Sequence, residues 1–423
     1  MAIDYTIIDI ITLVISSIIA YSCLKKISGN MYCIVYAIFF VFYVFPLFLD
    51  YIVLFPDYSL QKRYYGFNLS YRDSYTRIVY DVLLIIIQYA FSRKIRQQIN
   101  CVNRPRIFNN DHLWFLVLGM IIPTILVFVL GINYNILYSF GWREMELYTY
   151  NSATHIVEEF SYFGVFSSML LLFYEKKRTA FINTLCLIFL YVNLCLQGKR
   201  SILFFAIMIA CILLVPGVRN VKRNSRKKLV IAAILSIIGV AIMIGLTIYV
   251  KVSIRGWDEN DTVDLYTMTR IDFFKDDRVR FAIYSFLYPD KVTILNEFGQ
   301  TIFPTITWFY PLNAILAQNG YVYLNYQEYF SSALQNVVNH AFMTTSYFAE
   351  LISNFGALGP LFMYILMVLF AKYASNSKYV IRMILLICFM ALQMYTTQYL
   401  AIFFELCIFY CIISIYGNRK KVR

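Results

Sequence analysis

The chain has 423 residues, of which 60% are hydrophobic and 14% charged, and its mean hydropathy is +0.64. Soluble domains run at about 45–50% apolar and about 25% charged, so the composition excludes an ordinary water-soluble globule and predicts an integral membrane protein. The formal charge of +13 lies in short connections between apolar segments, which makes it a topology signal and argues against nucleic acid as a partner.

A membrane-crossing helix needs about 20 mostly apolar residues. That window predicts an all-α polytopic protein with eleven crossing segments: 6–24, 31–49, 78–91, 113–131, 160–174, 179–196, 202–218, 229–250, 355–373, 380–398 and 400–416. Segments 78–91 and 160–174 are short and must borrow flanking residues. The first segment lacks a basic leader and carries Asp4 and Asp9, so it is expected to stay in the mature protein rather than be cleaved as a signal peptide. Of nine cysteines, all but Cys101 fall in or beside apolar segments, without metal-ligand spacing to histidine. A disulfide framework or a structural zinc site is therefore not expected.

Lys and Arg in short loops set orientation. Alternate connections, including 93–106, 176–178, 219–228 and the tail, hold 23 of the 37 cations and only two acids, Asp111 and Glu175. Those loops are predicted to be cytoplasmic, with the C-terminus. The other connections carry 14 cations against 22 acids and are predicted to face outward, with the N-terminus.

Three parts follow: a membrane domain, 1–251, with the first eight crossing helices; a large external loop, 252–346; and the last three helices with a basic tail, 347–423. The loop is too apolar and aromatic for a disordered linker, and short amphipathic helices capping the membrane domain are expected. The inner loops have no GxxxxGK[ST] and no GxGxxG opening a helix, which argues against ATP-driven chemistry or a cytosolic nucleotide-sugar site.

Candidate site residues lie on the outer side. Lys199 and Arg200 occupy the shortest external turn, "LQGKRS", against the positive-inside bias. They either snorkel to headgroups or supply fixed cations for an anionic group, where the arginine fork suits phosphate. Arg143 lies in "FGWREMELYTY" and Arg255 just past a membrane exit. Arg270, Arg278 and Arg280 lie in "TRIDFFKDDRVRF", either as substrate contacts or as a solvated helix face laced with ion pairs. His340, in "VNHAFMTT", and Glu350, in "FAELISNFGALG", are proton acceptors near the outer mouth. Of the acids within apolar segments, Asp9 and Glu405 lie near segment ends, and Asp81 is expected to pair with Arg77 one turn away. No ladder of buried acids is expected.

The "LQGKRS" turn, the large external loop and the closing "NHAFMTTSYFAELISNFGALGPLFMYILMVLFAK" together resemble the Wzy-type O-antigen polymerases, the oligosaccharide repeat-unit polymerases related in architecture to the O-antigen ligases. The resemblance covers roughly residues 190–372, with "GWRE" a weaker match upstream. It implies a GT-C-like glycosyltransferase on the outer face of the bacterial inner membrane, working without metal or other cofactor on undecaprenyl-pyrophosphate-linked oligosaccharide. A chain-length regulator and a flippase of the same pathway are implied partners, besides membrane lipid. Arg200, Arg255 and Arg143 would stabilise the pyrophosphate leaving group, with Lys199, Arg270, Arg278 and Arg280 as further substrate contacts. His340 or Glu350 would take the acceptor proton. A ligase shares this chemistry with another acceptor; a flippase or other transporter is the alternative of a different class.

Overall fold

The computed structural model describes residues 5–24, 30–54, 73–97, 113–133, 160–161, 164–165, 167–168, 171, 177–196, 234, 238, 274–301, 326–335 and 345–376. Among these residues the regular structure is helical throughout, without a strand. The helices are α1 (Tyr5–Leu24), α2 (Met31–Phe39), a π-helical turn (Phe40–Val44), α3 (Phe45–Leu54), α4 (Ser74–Gln97), α5 (Leu113–Asn133) and α6 (Lys177–Leu196). Then come α7 (Asp276–Leu287), α8 (Tyr326–Gln335), α9 (Tyr347–Phe355), a 3₁₀ turn (Gly356–Leu358) and α10 (Gly359–Ser375).

On several of these helices the exposed face is apolar while polar residues lie buried. On α1, Ile11, Val14 and Ile18 are exposed, Ile18 to 65%, whereas Thr12 and Ser16 are buried at 1% and 0%. On α4, Val82, Ile86 and Tyr89 are exposed while Asp81, Gln88 and Ser92 are buried. The outward faces of α5, α6 and α10 carry similar stripes, such as Leu185, Ile188 and Val192 or Leu361, Ile365 and Leu369. Spacings of three and four residues make each stripe one helix face. Apolar groups outside and polar groups inside is the arrangement that hydrocarbon solvent favours. Two segments, Met31–Leu49 and Tyr347–Ser375, are long and apolar enough to cross a membrane.

The second of these is not one straight rod. Gly356 takes φ 55°, a conformation that L side chains rarely adopt. Beyond it, a Cβ on Gly359 would stand 2.7 Å from the Ile352 Cα, so the chain folds back at this corner and only a hydrogen fits. The segment expected at 355–373 is therefore α10 alone, preceded by α9 on the far side of a bend. The segment expected at 78–91 lies within a longer helix: Asp73 accepts the Thr76 amide at 2.8 Å and starts α4, and Lys94 and Arg96 lie in its last turn. Both ends suit the helix dipole. Segments 202–218, 229–250, 380–398 and 400–416 lie outside the described residues, except that Ile234 and Ile238 are helical.

The central helix pair is α2 and the π turn, almost wholly buried and flanked by α4 and α10. The π turn has a sequence cause. Pro46 has no N–H to offer the Phe42 carbonyl four residues back. That carbonyl accepts the Lys275 amide at 3.4 Å, and the next one, Tyr43, accepts the Tyr80 hydroxyl at 2.7 Å. A wide turn within an apolar helix thus becomes the dock for a segment more than 200 residues away.

That segment corrects the expectation of amphipathic caps. Every residue of α7 from Asp276 to Ser285 is buried, with α4 on one side and α9 on another. The charged run Lys275–Arg280 is interior, not a solvated face. After α7, the Ser285 hydroxyl donates to the Val292 carbonyl at 3.0 Å and accepts the Ile294 amide at 3.1 Å. This hook turns the chain back toward α9.

Candidate functional site

Of the nine candidate residues, Arg278, Arg280 and Glu350 are described; Arg143, Lys199, Arg200, Arg255, Arg270 and His340 lie outside the described residues. The three that are seen come from two packed helices, α7 and α9. Each has a distinct role.

Arg278 is held by its own neighbourhood. Its Nη1 donates to both carboxylate oxygens of Asp277 at 2.6 Å and to the Phe274 carbonyl at 3.2 Å. Asp277 also accepts the Arg278 amide at 2.9 Å. Burying one charge without the other would cost several kcal/mol on the order-of-magnitude scale for buried ion pairs, so this pair works as a structural unit.

Arg280 is placed differently. Its guanidinium lies 4.7 Å from the Tyr80 ring centroid, a cation–π distance, and 3.8 Å from Asp276. Its charge also acts on Asp81, as does that of Arg77. Arg280 therefore joins α4 to α7 and sits among acids from both. The acids in the first turn of α7, Asp276 and Asp277, complement that helix end.

The local Arg77–Asp81 pair expected from spacing is not what forms. Arg77 pairs with Asp9 of α1, and Asp81 accepts the Thr12 hydroxyl at 3.2 Å. The seam continues along α1 and α4: Gln88 donates to Ser16 at 2.9 Å and accepts from Tyr36 at 2.9 Å. Asp9, Arg77, Asp81, Arg280 and Asp276 thus form a chain of ionisable groups across three helices. Of these acids Asp81 and Asp276 are buried, whereas Asp9 stays partly exposed.

Glu350 lies in the first turn of α9, where a carboxylate suits the positive helix end, and is 1% exposed. The helix starts at Ser346, whose hydroxyl accepts the Ala349 amide at 3.2 Å. Ser346 also lies against the Tyr43 hydroxyl, beside the π-turn dock. Glu350 Oε1 accepts the Thr301 hydroxyl at 3.0 Å, and Asn354 donates to Thr301 Oγ1 at 2.7 Å. Thr301 and Asn354 were not among the sequence candidates. The one available signal was the four-residue spacing of Glu350 and Asn354, which stacks them on a single helix face.

Tyrosines at the ends of α7 and α8 make further hydrogen bonds. Tyr288 donates to Asp73 at 2.9 Å, and its ring lies 4.9 Å from that of Tyr284 at a 46° tilt. Desolvation, then the bond to Asp73 and the charge of that carboxylate, raise the Tyr288 phenol above its ordinary value, keeping it a donor. Burial likewise raises the phenol of Tyr326, against the opposing effect of its bond with Ser353. Among the described residues no three His, Cys, Asp or Glu side chains gather to hold a metal ion. Among the described residues, Cys23, Cys33 and Cys186 form no disulfide. No protein-family model, curated protein or solved structure matches the chain.

Proposed function

We propose that this chain is a glycosyltransferase embedded in the bacterial inner membrane, with about eleven crossing helices and its working face outside. It polymerises oligosaccharide repeat units carried on undecaprenyl pyrophosphate. The observation that supports this reading is the interior charge on two packed helices, Arg280 on α7 and Glu350 on α9, inside a molecule whose outer faces are apolar. Breaking a glycosyl–pyrophosphate bond needs cations for the leaving group and an acceptor for one proton.

In this scheme Glu350 or His340 removes the proton from a hydroxyl of the incoming repeat. That oxygen bonds to the anomeric carbon as the carbon–phosphate-oxygen bond breaks, and the pyrophosphate departs with the electron pair. Arg200, Arg255, Arg143 and Arg280 neutralise the charge that develops. Arg278, committed to Asp277, supports α7 instead of touching substrate. A ligase would use the same steps with another acceptor.

A second reading, a lipid-oligosaccharide transporter, is favoured by one observation: the chain of ionisable groups Asp9–Arg77–Asp81–Arg280–Asp276. One experiment separates the two. Cells lacking the chain are expected to accumulate a single lipid-linked repeat on the outer leaflet, and the surface-glycan ladder should return with the wild-type chain but not with Arg200→Ala at equal abundance. Accumulation on the inner leaflet would favour transport. A normal ladder from Arg200→Ala would remove that arginine from the site.

A further inference from the structure

We propose that Thr301 and Asn354 are positioning residues for Glu350, holding one carboxylate oxygen as a fixed acceptor so that the other takes the proton. The inference rests on the proposed role of Glu350 as the base.

Hydrogen-bond direction supports it. Asn354 Oδ1 accepts the Thr301 amide at 3.0 Å, which fixes the orientation of the side-chain amide, and Nδ2 then donates to Thr301 Oγ1 at 2.7 Å. Its second proton goes to the Glu350 carbonyl, one turn back on α9, at 2.9 Å. A hydroxyl has one proton to give. With Asn354 donating to it, Thr301 directs that proton to Glu350 Oε1 at 3.0 Å. The relay therefore runs one way, from amide to hydroxyl to carboxylate. Oε1 is held as an acceptor, and a proton taken up by Glu350 goes to Oε2.

The anchoring is independent of the charge. Asn354 already ties the loop through the Thr301 amide, and its own carbonyl accepts the Gly299 amide at 3.1 Å. Gly299 takes φ 75°, so the turn that delivers Thr301 is built on a position that favours glycine. A loop clamp of this kind needs no carboxylate, and Thr301, Asn354 and Glu350 are all within 1% of full burial. Burying an acid beside a clamp is costly. The hydroxyl that reaches it orients a group with another task.

The test uses membranes carrying each variant, with the lipid-linked glycan extracted from cells lacking the chain as substrate. Rates are read against substrate concentration. Glu350→Gln should lower kcat by about 100-fold or more, the range of general-base catalysis. Thr301→Val should lower kcat about tenfold, with KM within about twofold of wild type, because substrate binding is untouched. Thr301→Ser, which keeps the hydroxyl, should recover most of the rate. A clamp that only held the loop would show its loss as lower abundance or higher KM, without that split and rescue. Thr301→Val at the wild-type rate, beside an inactive Glu350→Gln, would overturn the positioning role alone. A fully active Glu350→Gln would instead remove Glu350 as the base. Should Thr301→Val not accumulate, Thr301→Cys replaces it under the same criteria: kcat reduced at unchanged KM sustains the proposal, and unchanged kcat ends it.

Discussion

Two polar seams cross this apolar molecule, and they are built on different principles. The seam between α1 and α4 uses straight helix faces: Asp9, Thr12 and Ser16 on one, Arg77, Asp81 and Gln88 on the other. Helical spacing sets each partner, so the seam forms as soon as the two helices pack. The seam between the loop end at Thr301 and α9 joins residues 49 and 53 apart in sequence. It exists only after the Ser285 hook and the Gly299 turn have brought Thr301 back to α9. The first seam is adhesive between helices. The second positions a single carboxylate, and its geometry depends on the whole loop.

The largest effect should come from the charged unit that supports the second seam. Arg278→Ala leaves Asp277 buried without its guanidinium partner, and breaking a buried pair in this way costs about 3–5 kcal/mol. Thermal unfolding of the detergent-solubilised protein, or its abundance in membranes, should collapse. Arg278→Met with Asp277→Leu, which removes both charges, should recover most of that loss, since a well-packed apolar pair is tolerated where a lone charge is not. A double variant no better than Arg278→Ala would mean that Arg278 stabilises α7 beyond this pair, as through its bond to the Phe274 carbonyl.

The contrast also assumes that the outward faces meet hydrocarbon. Ile86 is 56% exposed, two residues from the fully buried Gln88 on α4. In water, Ile86→Lys would be nearly neutral, within about 0.5 kcal/mol. In a bilayer a lysine near the helix centre costs about 2.5–3.5 kcal/mol. Membrane insertion and abundance of Ile86→Lys distinguish these outcomes. A harmless lysine there would place this face against water or another polar surface.

Much of the helix placement was legible in the sequence. Apolar runs have lengths, and α1, α5 and α6 end within about two residues of the expected limits, the usual uncertainty at helix ends. The charged stretch around Arg278 and Arg280 was harder. Its charges are compensated partly by a sequence neighbour, Asp277, and partly by Tyr80 and Asp81, about 200 residues earlier. A pattern read along one helix treats such residues as solvated, because the groups that permit burial are distant in sequence. The Arg77–Asp81 spacing was read in the same way, and Asp9 from α1 took the arginine. Thr301 and Asn354 carry no charge and no motif, and apart from the four-residue spacing of Asn354 from Glu350 only their hydrogen bonds mark them.

The smallest predicted effect lies at Pro46, where the α7 segment is docked on the first helices. In α-helical geometry the residue at 46 would donate its N–H to the Phe42 carbonyl. Proline cannot, and that carbonyl accepts the Lys275 amide at 3.4 Å. Pro46→Ala supplies a competing local donor and relaxes the turn toward ordinary α geometry. The helix gains a bond of about 1 kcal/mol net while α7 loses a comparable one, so overall stability should barely move. The redistribution should be visible at one atom. Exchange of the Lys275 amide with solvent should speed up about fivefold, the equivalent of about 1 kcal/mol, while the amides of α4 keep their protection. The Thr301–Glu350 contact depends on α7 keeping its seat against α9, so a modest fall in turnover should accompany the faster exchange. Unchanged protection at Lys275 would mean that side-chain packing alone seats α7, and that the π turn has no part in joining the two seams.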